Sequence, residues 1–253
     1  MTDLHLWQYA AIALLFVWSG FVRSGLGFGG AALTLPLLLL VVDNPVVFLP
    51  IIAVHLLVFG FFTVGTRFDH VDYRFLLRSM PIILPFKLAG VVGLLSLPAN
   101  VLTGIVYVVT LFYSIAYLAG VEFSSRSRAM DYTLLAAGGY VSGTTLIGAP
   151  LIIAVSIRHV ARENLRETLF VMWIILVTIK LAGFAYTGTD MQMIHHLWLF
   201  PCALVGHVLG LRFHRHIVSV RPDRFLRVLG AALLAITVVG IGTNFVLPLV
   251  ASA

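Results

Sequence analysis

Long apolar stretches separated by short polar connections make up almost the whole chain. The apolar stretches are continuous rather than alternating in polarity, which is typical of membrane helices and excludes a transmembrane β-barrel. Eight of them are long enough to cross a bilayer if their ends flex, whereas 31–42 and 149–158 are too short. The predicted segments are 6–22, 31–42, 46–66, 80–97, 101–120, 132–143, 149–158, 168–187, 197–212 and 225–249.

Basic residues are concentrated in some of the connections and missing from the others. Loops rich in arginine lie in the cytoplasm of membrane proteins, so the basic connections are assigned to that side. The neutral or acidic connections, such as 43–45 and 96–100, and both termini then lie on the extracytoplasmic side. We expect a multi-pass protein of the bacterial cytoplasmic (inner) membrane. The basic connections contain Arg67, Arg74 and Arg78; Arg126 and Arg128; Arg158, Arg162 and Arg166; and Arg212, Arg215, Arg221, Arg224 and Arg227.

This orientation requires two stretches, 6–42 and 132–158, to enter the membrane and return to the side from which they came. The chain then divides into two transmembrane repeats of five segments and opposite orientation, 1–120 and 131–253, joined by a cytoplasmic linker at 121–130. Inverted repeats of this kind are common in secondary transporters. Gly20 and Gly90 in the first repeat correspond to Gly139 and Gly206 in the second. The alternative is that these are ordinary transmembrane glycines whose correspondence is accidental. The predicted fold is therefore an all-α polytopic membrane protein with a short broken or re-entrant helix in each repeat.

Two glycine-rich stretches, 23–31 and 142–150, each precede one of the short segments. A helix over 31–42 is about 18 Å long and must begin near the middle of the membrane, and the same holds for 149–158. A helix N-terminus carries unpaired N–H groups and about half a positive charge, so two of them facing one point would form an anion site. The alternative is that the glycines only allow helices to pack closely. The candidate substrate-binding residues are Arg23, Ser24, Gly25, Gly27, Gly29, Gly30, Ser142, Gly143, Thr144, Thr145 and Gly148.

Two lysines, Lys87 and Lys180, lie inside predicted spans that contain almost no carboxylate. Each buried charge costs about 2.5–3.5 kcal/mol at the membrane centre on insertion scales. We infer that the substrate supplies the counter-charge, with Lys87 as a binding residue; the alternative for Lys180 is that it reaches the membrane interface. His55 and His207 are also intramembrane, and they are candidates for proton coupling or for neutral packing residues.

The composition agrees with a membrane protein, because 60% of the 253 residues are hydrophobic, 10% are charged and the mean hydropathy is +1.06. A soluble domain has about 25% charged residues. The net charge of +6 comes from the connections and does not indicate nucleic-acid binding. The N-terminus has no features of a cleavable signal peptide. The single cysteine, Cys202, is expected to pack as a small apolar residue. We find no metal-binding pattern and no nucleophile with a base, so we expect no metal, no cofactor and no enzymatic activity.

The stretches "FVRSGLGFGGAALTLPLL" and "GGYVSGTTLIGAPLII", one opening each repeat, resemble the paired motifs of the TauE/SafE family of sulfite and sulfonate exporters. "NLRETL" is similar to the segment that follows the second short helix in that family. The resemblance covers nearly the whole chain and implies transport of small sulfur-containing anions such as sulfite or sulfoacetate. It places the two groups of glycine, serine and threonine residues given above in the binding motifs, together with Pro150. Leu146 and Ala149 depart from the glycines often found in the family, which would narrow the pocket.

Together these features predict a secondary transporter, an exporter on the strength of the resemblance, that works by alternating access around a midplane site. Its partners would be the anion and the membrane lipids, with no nucleic acid; a homodimer is left open. An anion channel would have the same basic site, and saturable, gradient-coupled flux would distinguish the transporter from it. A membrane-embedded enzyme or sulfur-relay protein would be expected to need reactive cysteines, and the chain has only Cys202.

Overall fold

A computed structural model of the chain describes residues 4–26, 30–65, 67–121, 125–217 and 222–247. These residues form ten α-helices, one 3₁₀ turn (Phe68–His70) and one π-helical turn (Gly242–Val246), with no strand among them, so the predicted all-α class is confirmed. Each predicted segment corresponds to one helix. The helices are α1 (Leu6–Leu26), α2 (Gly30–Val41), α3 (Pro45–Val64), α4 (Tyr73–Ser96), α5 (Ala99–Leu118), α6 (Arg128–Thr145), α7 (Ala149–His159), α8 (Leu165–Tyr186), α9 (Met193–Ile217) and α10 (Pro222–Ile241).

Among the described residues, seven helices are long and apolar enough to cross a membrane, namely α1, α3, α4, α5, α8, α9 and α10. The chain is therefore a multi-pass membrane protein. The sequence predicts one more spanning segment, at 132–143. That segment is part of α6, whose 18 residues include Arg128 and Asp131 at one end and three glycines, so its hydropathy is too low. α2 and α7, with 12 and 11 residues, are as short as predicted.

The helices form two compact units. Unit 1 comprises Met1–Phe48, Pro98–Glu122 and Ile194–Ala253, and therefore contains α1, α2, α5, nearly all of α9, and α10. Unit 2 comprises Leu49–Leu97 and Phe123–Met193, and contains most of α3 together with α4, α6, α7 and α8. Each unit thus takes helices from both halves of the sequence. The two compact units are defined by contacts within the fold, whereas the predicted repeats, 1–120 and 131–253, are defined by an internal symmetry of the chain. The division into repeats therefore stays a prediction.

In unit 1, α1 and α2 form an antiparallel hairpin. The Trp18 indole N–H donates to the carbonyl oxygen of Leu33 (3.4 Å), and the Gln8 side-chain amide donates to the carbonyl oxygen of Val41 (2.9 Å). At the closed end of the hairpin, Gly30 begins α2 next to the backbone of α1. The chain therefore folds back on itself over the stretch where the sequence predicts entry and return.

In unit 2, α6 and α7 form a second antiparallel hairpin. At its open end, His159 Nε2 lies 2.8 Å from a carboxylate oxygen of Asp131. Further along, Gly138 faces Ile152, and at the closed end Gly148 lies against Ser142. The side chains between and around these helices form a continuous apolar core with α4 and α8. This core includes Phe75, Ile83, Leu135, Ile152, Val155, Met172 and Leu176.

Glycines bring one further helix into close contact with the first helix of each hairpin. In unit 2, a Cβ atom on Gly139 would lie 2.6 Å from the carbonyl oxygen of Ile83, and one on Gly90 would lie 2.9 Å from Gly143 Cα, so α4 and α6 meet backbone to backbone. In unit 1, Gly20 and Gly206 bring α1 and α9 together in the same way, with a Cβ on Gly20 2.9 Å from the amide nitrogen of His207. The glycines that correspond in the two predicted repeats therefore have the same role within the two units, which is to bring two helices into backbone contact.

Candidate functional site

The connection between α6 and α7 is a tight backbone turn. Leu146 has a left-handed conformation (φ 64°, ψ 9°), which is uncommon for a residue other than glycine, and its N–H donates to the carbonyl oxygen of Ser142 (3.2 Å). The N–H of Ile147 donates to the hydroxyl oxygen of Thr145 (3.3 Å). α7 begins at Ala149 with a proline in its first turn, where the missing N–H has no helical partner to lose. Leu146 thus occupies the position whose geometry favours the glycine expected from the family resemblance.

Both intramembrane lysines donate hydrogen bonds to the last turn of α6. Lys87 Nζ is 2.9 Å from the carbonyl oxygen and 3.0 Å from the hydroxyl oxygen of Ser142, and Lys180 Nζ is 3.2 Å from the carbonyl oxygen of Thr144. Both lysine side chains are completely buried. The carbonyl end of a helix carries about half a negative charge, and the carbonyl of Ser142 accepts from Lys87 in addition to the N–H of Leu146. The lysines therefore stabilise the end of α6 at the point where the helix is interrupted.

The charges of the two lysines are only partly balanced. Among the residues that the structure describes, no carboxylate lies within ion-pair distance of either ammonium group. Lys180 Nζ also lies over the ring of Phe184, 6.0 Å from its centroid. Both ammonium groups bind the last turn of α6, at residues two apart in the sequence. The sequence correctly indicates that carboxylates are scarce in these helices. The alternative that Lys180 reaches the membrane interface is wrong, because this side chain is completely buried and hydrogen-bonded to the carbonyl oxygen of Thr144.

The beginning of α7 lies next to Ser142, which binds Lys87. A Cβ atom on Gly148, the N-cap residue of α7, would be 2.8 Å from the amide nitrogen of Ser142. The amide groups of a first helical turn point out of the helix and have no partner within it. The lysines therefore bind the negative end of α6, and the positive end of α7 begins beside one of the residues that they bind.

The glycines of the second motif have clear packing roles. A Cβ atom on Gly143 would lie 2.5 Å from the carbonyl oxygen of Lys87 and 2.8 Å from Gly90 Cα. Gly148 is equally tightly placed, between Gly138 and Ser142. Close packing of helices, the alternative to a substrate cradle, therefore accounts for these two glycines. Direct contact of Gly143 or Gly148 with substrate stays a prediction.

The first motif is placed in unit 1 at the end of α1. Arg23 is in the last turn of this helix and is only 4% exposed, and Gly30 packs against it, with a Cβ on Gly30 3.0 Å from Arg23 Cβ. The Ser24 hydroxyl and His207 Nδ1 form a hydrogen bond that links α1 to α9. Gly25 is buried at the same contact, where a Cβ on Gly210 would lie 3.0 Å from its amide nitrogen. The candidates Gly27 and Gly29 lie outside the described residues.

The two candidate histidines have different surroundings. His207 is bonded to Ser24 as described above and is 9% exposed. His55 is buried in α3, where its ring meets Phe59 edge-on at a centroid distance of 6.3 Å. No group of three or more histidine, cysteine, aspartate or glutamate side chains suited to a metal ion occurs in the described part of the chain.

A comparison with protein-family models identifies the chain. The model described as "Sulfite exporter TauE/SafE" matches residues 12–241, which is nearly the whole sequence and includes both glycine motifs. No curated protein and no solved structure matches the chain. The seven long apolar helices found among the described residues agree with a transporter family of this kind. The chain belongs to the TauE/SafE sulfite exporter family of membrane transporters.

Proposed function

We propose that the chain transports a small sulfur-containing anion, such as sulfite or an organosulfonate, and that this anion binds at the interruption between α6 and α7. The observation that carries the proposal is the pair of buried lysines, Lys87 and Lys180, bound to helix carbonyls without a carboxylate partner in the described residues. The TauE/SafE family supports a sulfur-containing anion and export as the direction.

The electrostatics of unit 2 favour an anion with more than one oxygen. Each buried ammonium costs about 2.5–3.5 kcal/mol on insertion scales, and the carbonyl end of α6 offers only about half a negative charge in return. An oxyanion beside Lys87 and Lys180 would balance the remaining charge and would also meet the amide groups at the start of α7. Sulfite and sulfonate groups have three oxygens, enough to contact both lysines and an amide group together.

One of the three candidate hydroxyls in this motif is available to the substrate. The Thr144 hydroxyl donates to the carbonyl oxygen of Val141 (3.1 Å), and the Thr145 hydroxyl donates to the same atom (2.9 Å). The Ser142 hydroxyl accepts from Lys87 and donates to no acceptor among the described residues. We therefore assign Ser142 as the hydroxyl that donates to the anion, and Thr144 and Thr145 as residues that hold the backbone of the turn.

The matching hairpins of the two units support an alternating-access mechanism with two inverted repeats. Each hairpin ends next to buried cationic side chains, Arg23 in unit 1 and the two lysines in unit 2, and each is joined to a further helix by glycines. His207 and His55 are the candidates for proton coupling. A proton on His207 Nδ1 would change its hydrogen bond with Ser24, one residue from Arg23. The inner membrane as location and extracytoplasmic termini belong to the same proposal.

The proposal is tested by anion binding to the purified protein with two matched serine variants. Ser142→Ala removes the hydroxyl that we assign to the anion, whereas Ser156→Ala removes a buried hydroxyl that donates only to Ile152 within α7 (2.9 Å). Thermal stabilisation by sulfite, sulfate, thiosulfate, sulfoacetate and taurine is measured for the wild type and both variants. We expect sulfite or a sulfonate to stabilise the wild type and Ser156→Ala, and we expect Ser142→Ala to need at least about a tenfold higher anion concentration for the same stabilisation, as for loss of one hydrogen bond to a charged group. Equal stabilisation of all three proteins would contradict the assignment.

A further inference from the structure

The open end of the α6–α7 hairpin contains a cavity of about 870 Å³ between the first turns of α4 and α6. The two helices run parallel, since Ile83 contacts Gly139 and Lys87 contacts Ser142 further along. Their first turns therefore lie side by side, and each contributes one stripe of residues with spacing i, i+3, i+4, i+7. The stripe of α4 is Arg74, Leu77, Arg78 and Pro81, and that of α6 is Arg128, Asp131, Tyr132 and Leu135.

The cavity has an excess of positive charge. Arg74, Arg78 and Arg128 line it, and none of the three guanidinium groups has a hydrogen-bond or ion-pair partner within the part of the chain that the structure describes. The two carboxylates in the lining are already engaged. Asp131 accepts from Arg158 (3.4 Å) and lies 2.8 Å from His159, and Asp72 accepts from the N–H of Phe75 at the start of α4 (2.9 Å).

The backbone contributes less to this field. Both α4 and α6 begin at this end of the hairpin, but Asp72 caps α4 through the N–H of Phe75, and Ser127 caps α6 through the N–H of Met130. The three guanidinium groups are therefore the main positive charges, and they favour a phosphate group, which guanidinium binds through paired N–H donors.

The outer edge of the cavity is apolar, and this edge indicates which class of phosphate-containing ligand the cavity fits. Leu77 is 76% exposed and Tyr132 is 58% exposed, and Pro81 is exposed on the same face of α4. Alternating arginines and exposed apolar side chains on a membrane helix are typical of the depth where lipid headgroups meet acyl chains. A soluble anion would make no apolar contact with this edge, whereas the acyl chains of a lipid would pack against it.

We propose that this cavity binds an anionic phospholipid, with the phosphate held by Arg74, Arg78 and Arg128 and the acyl chains against Leu77 and Pro81. The site is separate from the lysine pair. Along α4 the lining ends at Ile82, about 7.5 Å before Lys87 at the helical rise per residue, and the close contact between Ile83 and Gly139 lies in between. The proposal therefore does not depend on which anion is transported.

The test compares lipids on the full chain purified in a neutral detergent. Native mass spectrometry measures retention of phosphatidylglycerol and of phosphatidylcholine, with glycerol 3-phosphate and sulfite as soluble anions. We expect at least a tenfold preference for phosphatidylglycerol over phosphatidylcholine and no comparable binding of glycerol 3-phosphate. Each arginine removed should weaken phosphatidylglycerol binding about fivefold. The double variant Arg78→Gln, Arg128→Gln should therefore lose most of the preference.

The matched control is Arg162→Gln, which removes an exposed arginine outside the cavity lining. This variant should keep the wild-type preference for phosphatidylglycerol. Equal binding of both lipids by the wild type, an unchanged preference in the double variant, or an equal loss in Arg162→Gln would overturn the proposal. Binding of glycerol 3-phosphate or sulfite with the same dependence on Arg78 and Arg128 would also overturn it, because the cavity would then be a site for soluble anions.

Discussion

Gly143 in α6 offers the sharpest test of how the candidate site is built. Replacing it with alanine adds one methyl group at the point where α6 and α4 touch. The new Cβ would lie 2.5 Å from the carbonyl oxygen of Lys87, 2.8 Å from Gly90 Cα and 2.9 Å from Gly90 C. All three atoms belong to the backbone, so no change of side-chain rotamer can relieve the contact and the helices must separate by about 1 Å to restore ordinary van der Waals distances.

The cost of Gly143→Ala has two parts. Overpacking of a well-packed contact costs about 1–3 kcal/mol. Separation of the helices also lengthens the hydrogen bonds from Lys87 to Ser142, now 2.9 and 3.0 Å, and hydrogen bonds of this charged type contribute about 1.5–3 kcal/mol. With these bonds weakened rather than lost, we expect a total destabilisation of about 2–4 kcal/mol, which corresponds to a fall in Tm of roughly 4–16 °C for a chain of this size.

The assay is thermal unfolding in detergent, followed by tryptophan fluorescence, with Gly93→Ala as the matched control. Gly93 lies on α4, and the nearest atom to an added Cβ is Tyr140 Oη at 3.9 Å, an ordinary contact. This variant should be as stable as the wild type or more stable by up to about 1 kcal/mol, because alanine is the better helix former. If the two variants have the same Tm, the backbone contact between α4 and α6 is not as close as described and the positions of both lysines come into question.

Three further variants test other parts of the account. Leu146→Gly should be more stable than Leu146→Ala by about 1 kcal/mol, the reverse of the usual order, because the left-handed backbone at this residue strains any side chain; a more stable alanine variant would show that the turn is not left-handed. Burial alone raises the pKa of Asp131, but hydrogen bonds from Ser125 and His159 and the nearby charges of His159 and Arg158 outweigh it and hold the pKa below its usual value. The stabilisation from the ionised Asp131 carboxylate is present above the ordinary aspartate pKa of about 4 and is lost as the pH falls through the lowered pKa. Asp131→Asn should therefore be less stable than the wild type at pH 7, and the difference in stability should shrink in acid. A difference in stability that is independent of pH would refute this prediction. Cys202→Ser should leave sulfite transport unchanged, because the transport proposal gives this thiol no role. Loss of all activity in this variant would instead indicate a sulfur relay through Cys202.

The sequence predicts the number and order of the helices and most of their ends because the signals are local, although α4 begins at Tyr73, seven residues before the predicted start. Glycine and proline mark the two interruptions, and the short helices α2 and α7 begin and end within one residue of the predicted positions. α6 is longer than predicted, because Ser127 caps it through the N–H of Met130 and the polar residues that follow are helical rather than part of the loop.

The chemistry of the site is less visible in the sequence because it depends on contacts between distant helices. Lys87 and Lys180 stand out as buried charges, but their binding to carbonyls of α6 follows from packing that spans 55 and 36 residues of sequence. The same holds for Ser24 and His207, which are 183 residues apart. A glycine that packs against another backbone and a glycine that faces a substrate give the same sequence pattern, so only coordinates separate the two roles.

Sulfite uptake into proteoliposomes by Lys87→Met tests the central proposal most directly. The substitution removes two charge-assisted hydrogen bonds of about 1.5–3 kcal/mol each, and it also removes a buried charge that costs about 2.5–3.5 kcal/mol, so the net loss of stability should be at most about 3.5 kcal/mol. We predict a folded protein with a Tm no more than roughly 14 °C below that of the wild type, no saturable uptake and no stabilisation by sulfite. Normal uptake and normal stabilisation by sulfite in this variant would show that Lys87 only caps α6 and that the anion binds elsewhere.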